Sequence, residues 1–222
     1  FRMATIKVID VIDRAEEILQ DVSNVRWTQQ SLLNYLNDGQ REIVVFRPDA
    51  STVNASFTLA SSAKQTLPSS ALRLLDVYKN LSPNTSSISI IERKILDDQI
   101  DDWYASLGEE VEHYIYNPVD PKTFYVYPHP AAGSNTIEII YSSSPANITI
   151  SNFTSDTTTI TLDDVYANAL LDYILYRAYQ KDSEYAGDLQ KSGSFMQSFQ
   201  NALGIKTQVD AGAAPRPASP SE

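Results

Sequence analysis

Apolar residues at Val8, Val11, Ile12, Ala15, Ile18, Leu19 and Val22 recur three and four apart, the spacing that lines side chains along one face of an α-helix. The pattern predicts an amphipathic helix over residues 5 to 22 with a single stripe to bury. A second helix announces itself by its start. Thr28 carries an oxygen able to accept from the orphan amides of a first turn, and Trp27 and Leu32 flank it where a hydrophobic staple pairs. This helix runs to about Phe46 with Leu32, Leu33, Leu36, Ile43 and Phe46 on its apolar side, and Pro48 in Arg47-Pro48-Asp49-Ala50 stops it.

From residue 51 the period shortens to two. Val53, Ala55, Phe57 and Leu59 alternate with small polar residues, and Ser61-Ser62 makes a turn, so a strand and hairpin follow, with Lys64 to Leu67 as the returning arm. Pro68-Ser69-Ser70 turns the chain again, and Leu72 to Leu81 has the Leu, Val and Tyr content of a buried strand. After an Asn/Ser/Pro loop at 82 to 87, Ile91 to Tyr104 reads as helical. A second β region contains His113 to Tyr116, Phe124 to Tyr127 and Thr136 to Tyr141, separated by Pro118, Pro121, Pro128 and Gly133.

A third helix is expected at Thr161, whose hydroxyl and the Asp164 carboxylate fit a capping box, with Ile160 and Val165 as staple. Ala167, Leu170, Leu171, Ile174, Leu175 and Ala178 form its apolar face, with Asp172, Arg177 and Lys181 off it. The last helix, roughly Ser183 to Leu203, carries Leu189, Met196, Phe199 and Leu203 and ends at Gly204. The remaining segment has almost no large apolar side chain to offset ordering entropy and is expected to be disordered alone. The fold class is therefore α+β, a mainly helical bundle core with two β excursions and an extended carboxy-terminal tail. Its parts are a helix pair at 1–50, a β excursion at 51–87, a helical connector at 88–110, a second β region at 111–160, a helix pair at 161–205 and the tail at 206–222, together one domain in which the helix pairs cover each other's stripes.

Composition narrows the chemistry. A chain of 222 residues with 42% hydrophobic content can bury a sizeable core unaided. Cysteine is absent, which removes disulfides, thiolate nucleophiles and cysteine metal sites. Lys+Arg total 17 against 28 Asp+Glu, and a formal charge of −11 disfavours a grip on nucleic acid. Nothing approaches the roughly 20 apolar residues of a membrane span, and the opening lacks a signal peptide's apolar run, so a soluble, intracellular protein is expected. Phe1 and Arg2 precede Met3, which makes Met3 a candidate natural start. Five Asn-x-Ser/Thr triplets, beginning with Asn54-Ala55-Ser56, read as Ser/Thr/Asn richness rather than glycosylation sites.

No catalytic residue, metal ligand or cofactor is assigned. Asp97, Asp98, Asp101 and Asp102 form the densest acidic cluster and motivate a distant alternative, a metal-assisted hydrolase. The simpler reading is a solvated helix face that turns Ile100 and Trp103 inward, since no glycine-turned ligand loop accompanies it. Glu109, Glu110 and Glu112 offer acid and base pairs only in the sense that any acidic chain does. His113 and His129 sit in neither a zinc nor a triad spacing, and Gly193-Ser194 lacks a nucleophile-elbow pattern. The unusual feature is 13 tyrosines. Tyrosine buries large area while its hydroxyl keeps a partner, so Tyr114, Tyr116, Tyr125 and Tyr127 are the candidates for contacts with other protein subunits.

Several segments together resemble the phage head-to-tail adaptor, or connector, family found with short-tailed phages. They are Arg26-Trp27-Thr28 running into Leu32 to Ile43, Arg47-Pro48-Asp49-Ala50, Gln65-Thr66-Leu67-Pro68 with Leu72 to Val77, His113 to Tyr116 with Asp120 to Pro128, and Asp172 to Tyr179. The resemblance covers most of residues 4 to 205, and its specificity lies in the number and order of segments. It implies a homo-oligomeric ring, usually a dodecamer, that docks below the portal protein at the head-tail junction of the virion. It further implies a link to tail nozzle or other tail proteins, synthesis in the bacterial host cytoplasm, passage of DNA through the ring without specific binding, and no membrane. By the same resemblance the tail lies against the portal, through Val209, Ala213, Pro215, Arg216, Pro217 and Pro220. Another tail ring, a nozzle or tail-completion subunit, is the nearest alternative.

Overall fold

The computed structural model describes residues 4–132, 135–181 and 186–213. In chain order the elements are α1 (Val8–Leu19), α2 (Gln29–Phe46), β1 (Thr52–Thr58), β2 (Lys64–Thr66), β3 (Ala71–Ser82), β4 (Ser89–Ile90), α3 (Arg93–Gln99), β5 (His113–Tyr116), β6 (Thr123–Tyr127), β7 (Thr136–Ser143), α4 (Ala167–Lys181) and α5 (Ala186–Ala213). The fold is α+β, as the two periodicities predict. The chain divides into two compact units: a helical one, Phe1–Arg47 with Pro145–Glu222, and a β-rich one, Pro48–Ser144.

In the helical unit, α1 buries Val8, Val11, Ile12, Ala15 and Leu19 of the stripe read from its spacing, whereas Ile18 is exposed. It stops short of Val22, which is exposed, because Gln20 turns left-handed at φ 56° and Asp21 takes over the backbone. The Asp21 carboxylate accepts from the amides of Val25, Arg26 and Trp27 at 2.8–3.0 Å. Those bonds hold its pKa below the ordinary value. At the start of α2 the Thr28 hydroxyl accepts from Ser31 N, as the capping pattern predicts. Trp27 is buried, and its indole nitrogen donates to Ala178 O at 3.1 Å, satisfying one of the last carbonyls of α4. Gly39 lets α2 approach α4, since a Cβ there would lie 3.0 Å from the Tyr173 ring and 3.3 Å from Leu170.

The expected face of α4 is buried throughout, from Ala167 through Leu170, Leu171, Ile174 and Leu175 to Ala178. Its start differs from the capping box. Asp163 caps a 3-10 turn at Asp164–Tyr166 by accepting from Val165 N, and the α-helix begins at Ala167. Thr161 donates both its amide and its hydroxyl to the buried Gln40 side chain at 2.7 and 2.8 Å. Asp164 accepts from Thr5 and Ile6. Distant polar groups thus outcompete the local cap, and Val165 is exposed rather than stapled. On α5, Phe199 and Leu203 are buried, Leu189 is exposed, and the helix passes through Gly204 to Ala213. A glycine ends a helix only where the backbone must turn left-handed.

Residues 145–160, assigned from sequence to the second β region, belong to the helical unit. They form a strap whose Ile148, Ile150 and Ile160 are buried. The buried Asn37 of α2 holds it with two reciprocal bonds, Nδ2 to Ile148 O and Ile148 N to Oδ1, each 2.9 Å.

In the β unit, one sheet has the order β1-β7-β3 and the other β2-β6-β5-β4. The expected hairpin of β1 with Lys64 to Leu67 does not form. β1 pairs with β7 over seven residues, Thr52↔Ser142 to Thr58↔Thr136, while the short β2 pairs with β6. A seven-residue ladder outweighs the three pairs that β2 could supply. Gln65 instead folds the turn onto its own side chain, accepting from Ala60 N at 2.8 Å and donating to Ala60 O at 3.1 Å. The two β excursions therefore interleave rather than stand apart, and residues of both sheets, including Leu74, Val77, Phe124, Val126, Ile137 and Ile139, meet in one core. β3 is not the buried strand that its composition suggests. Register shifts recur along it, so every third residue, Ala71, Leu74, Val77 and Asn80, turns inward. Leu72, Leu75 and Tyr78 are left exposed by 37–47% on the sheet edge.

Candidate functional site

The four tyrosines singled out by sequence lie on β5 and β6, and strand alternation divides them. Tyr114 faces the main core of the β unit, 5% exposed, and its hydroxyl donates to Asp76 at 3.0 Å. Burial and the Asp76 carboxylate push its pKa well above the ordinary tyrosine range. Tyr116, two residues on, is half-buried and donates to Pro121 O at 3.3 Å. Tyr125 and Tyr127 pack from the opposite face against a smaller cluster of Ala63, Leu96, Trp103 and Ile115. Tyr125 meets Trp103 and Tyr104 edge-on with ring centroids 6.2 and 6.0 Å apart.

Two of the four meet again at a groove of about 630 Å³ in the β unit. Tyr116 and Tyr125, which project from opposite faces of the β5–β6 pair, are both among its lining residues, with Ile90, Ile91, Ile115 and Pro118 as apolar lining and Glu92, Arg93 and Asp120 as charged groups. Ile90 is 63% exposed, so the groove presents apolar surface to solvent. Tyr127 lies elsewhere, beside a shallow depression with Leu107, Glu109, Glu110 and Glu112. The groove was not visible in the sequence, because its walls come from the β4 to α3 turn and the β5 to β6 turn, brought together only by the parallel pairing of β4 with β5.

The acidic cluster is not assembled as a site. Asp97 accepts from Arg93 Nε at 3.1 Å and from Trp103 Nε1 at 2.8 Å, while Asp98, Asp101 and Asp102 are exposed. The α-helix ends at Gln99, before Asp101 and Asp102 can stack a turn beyond Asp97 and Asp98. Among the described residues no three His, Cys, Asp or Glu side chains converge to hold a metal ion. Glu110 accepts from Asn84 and Ser86, which lowers its pKa. His113 pairs with the Ser89 hydroxyl across β4 and β5 at 2.8 Å, and the buried His129 ring bonds the carbonyl of Pro130.

Of the carboxy-terminal candidates, Val209 and Ala213 lie on α5, and Pro215, Arg216, Pro217 and Pro220 fall outside the described residues. No described helix is long and apolar enough to cross a membrane.

The structure thus presents a tyrosine-lined groove and an exposed apolar strand edge. No curated protein matches the chain significantly. The family model of the SU10 adaptor protein matches residues 6–220, nearly the whole chain. The chain belongs to the SU10 adaptor family of phage head-to-tail adaptors and is a structural component of the virion.

Proposed function

We propose that the chain forms a homo-oligomeric ring, of dodecameric symmetry, that docks below the portal and carries tail proteins on its other side. The family match across residues 6–220 is the observation that carries this reading, because it takes in both the helical and the β-rich unit. Two surface features fit it. The exposed edge stripe of Leu72, Leu75 and Tyr78 and the groove at Tyr116 and Tyr125 are apolar surfaces that a neighbouring subunit or a tail protein would cover. The net charge of −11 suits a channel wall that repels phosphate and lets DNA slide past without being bound. Val209, Ala213 and the proline-rich residues Pro215, Arg216, Pro217 and Pro220 are proposed to meet the portal in the assembled neck.

The test is to mix the purified chain with its cognate portal and image the product by electron microscopy. A closed ring of this chain seated on the portal is expected. Absence of any complex refutes the reading, and a ring found only at the distal end of the tail would make the chain a nozzle or tail-completion subunit.

A further inference from the structure

We infer that, free of portal, two copies of the chain pair through β1, antiparallel and about a two-fold axis at Ala55. β1 is an edge strand, bonded on one side to β7 in unbroken register from Thr52↔Ser142 to Thr58↔Thr136. Ser51 O accepts from Ser143 N and Leu59 N donates to Asn135 O, both at 2.9 Å, so the odd-numbered residues between them turn their backbone groups toward β7. The amides and carbonyls of Thr52, Asn54, Ser56 and Thr58 therefore point away from the sheet, and among the described residues no backbone group bonds them.

This edge lacks the guards that the others carry. Residues 50 to 63 contain neither a charge nor a proline, and β1 has no bulge; an edge of that kind is a template for another strand. β3, on the far side of the same sheet, is broken by register shifts, and its backbone is met by Pro121 O at Leu74, by Ile88 N at Tyr78 and by Ser86 O at Asn80. β4 is two residues long, and β2 is three residues long with Lys64 at its start.

The residues of β1 select a second β1 as the occupant. Thr52-Val53-Asn54-Ala55-Ser56-Phe57-Thr58 has nearly the same order of residue types from either end. Centred on Ala55, an antiparallel pair sets Thr52 against Thr58, Val53 against Phe57 and Asn54 against Ser56. The even-numbered residues are those whose backbone groups face outward, so each of their pairs exchanges two hydrogen bonds. The odd-numbered pairs are the closely approaching kind, which brings Val53 beside Phe57 of the second copy, a β-branched and aromatic match. Val53, Ala55 and Phe57 already pack on the core of the β unit, so the pair joins two such cores across one continuous sheet. A two-fold contact closes at the dimer, and a cyclic ring contains none. The pair is therefore a state of the unassembled chain, one that keeps the edge covered until assembly.

The experiment uses the full chain without portal. Sedimentation equilibrium over roughly 1 μM to 1 mM, the span in which small interfaces assemble, should show the mass rising from 24.7 kDa toward twice that value and no further. Ser56→Pro deletes an outward amide, leaves the bonds to β7 in place and should weaken association about tenfold. Cysteines, absent from the chain, read the register. With an added oxidant Ala55→Cys should give a disulfide-linked dimer, since residues facing in a close pair lie about 4.5 Å apart at Cα, within disulfide reach. Asn54→Cys and Ser56→Cys should each cross-link poorly alone and readily when mixed. A monomer at every concentration, assembly past the dimer, or cross-links without this preference of 54 for 56 overturns the inference. So does association unchanged by Ser56→Pro; should that variant fail to fold, the unaltered chain and the cysteine pattern still decide. Portal takes no part, so failure here leaves the ring reading standing, and failure of ring assembly leaves this pairing standing.

Discussion

Replacing Asn37 by alanine tests how the strap 145–160 is held to the helical unit. Asn37 is 7% exposed on the inward face of α2, and its side chain bonds both the amide and the carbonyl of Ile148, itself 8% exposed, at 2.9 Å each. Alanine removes both partners at once and leaves two backbone groups without a replacement. At about 1–3 kcal/mol per orphaned buried group, the expected loss is roughly 2–6 kcal/mol, a large part of a typical domain stability of about 5–15 kcal/mol. Asn37→Asp separates the two bonds. A carboxylate can still accept from Ile148 N but cannot donate to Ile148 O, and burial raises its pKa, so its deficit should grow as pH rises. The chain has two tryptophans, Trp27 in the helical unit and Trp103 in the β unit, so a Trp103→Phe background makes fluorescence a reporter of the helical unit alone. Urea unfolding at several pH values then measures both variants. A loss below about 1 kcal/mol for Asn37→Ala would mean that water reaches Ile148, and the reasoning would fail.

Two further outcomes are expected. Burial raises the Asp172 carboxyl above its ordinary value. A carboxyl whose folded pKa exceeds its unfolded one costs stability when ionised, so the deficit is absent below the ordinary range, opens as pH rises through it and is complete above the folded value. Asp172→Asn should therefore melt higher at neutral pH, with the advantage vanishing as pH falls. A difference in Tm that does not change with pH would refute this. Leu171→Asp places an unpaired charge at a position 6% exposed and should cost about 3–5 kcal/mol, read as lost helical circular dichroism or a collapsed Tm. A fully helical, equally stable variant would show that α4 presents another face.

What was legible locally was governed by short-range rules. The α1 and α4 stripes are periodic and found their buried faces, and Thr28 capped α2 because its partner, Ser31 N, lies three residues away. The β5, β6 and β7 segments came through because alternation and proline punctuation are local too. The failures were places where a distant group competed. Thr161 and Asp164 satisfy a capping pattern on paper, yet Gln40 and the Thr5-Ile6 backbone take their bonding capacity. Asn80 is another such group, buried among apolar neighbours and bonded to both Val111 O at 2.8 Å and Val111 N at 3.1 Å. Nothing near Asn37, Gln65 or Asn80 in the chain distinguishes them from the many surface amides.

By itself, then, the amino-acid sequence determined most of the buried faces of α1 and α4, the positions of the longer strands, the absence of thiol chemistry and the family. Only the tertiary structure decided which strands pair, that β3 bulges to expose Leu72, Leu75 and Tyr78, and that Tyr116 and Tyr125 share a groove from which Tyr114 and Tyr127 are absent. The physical reason is one of range. Periodicity and caps are set by neighbours within a turn or two, whereas pairing, burial of polar groups and the walls of a groove depend on which remote segments compete for the same partner.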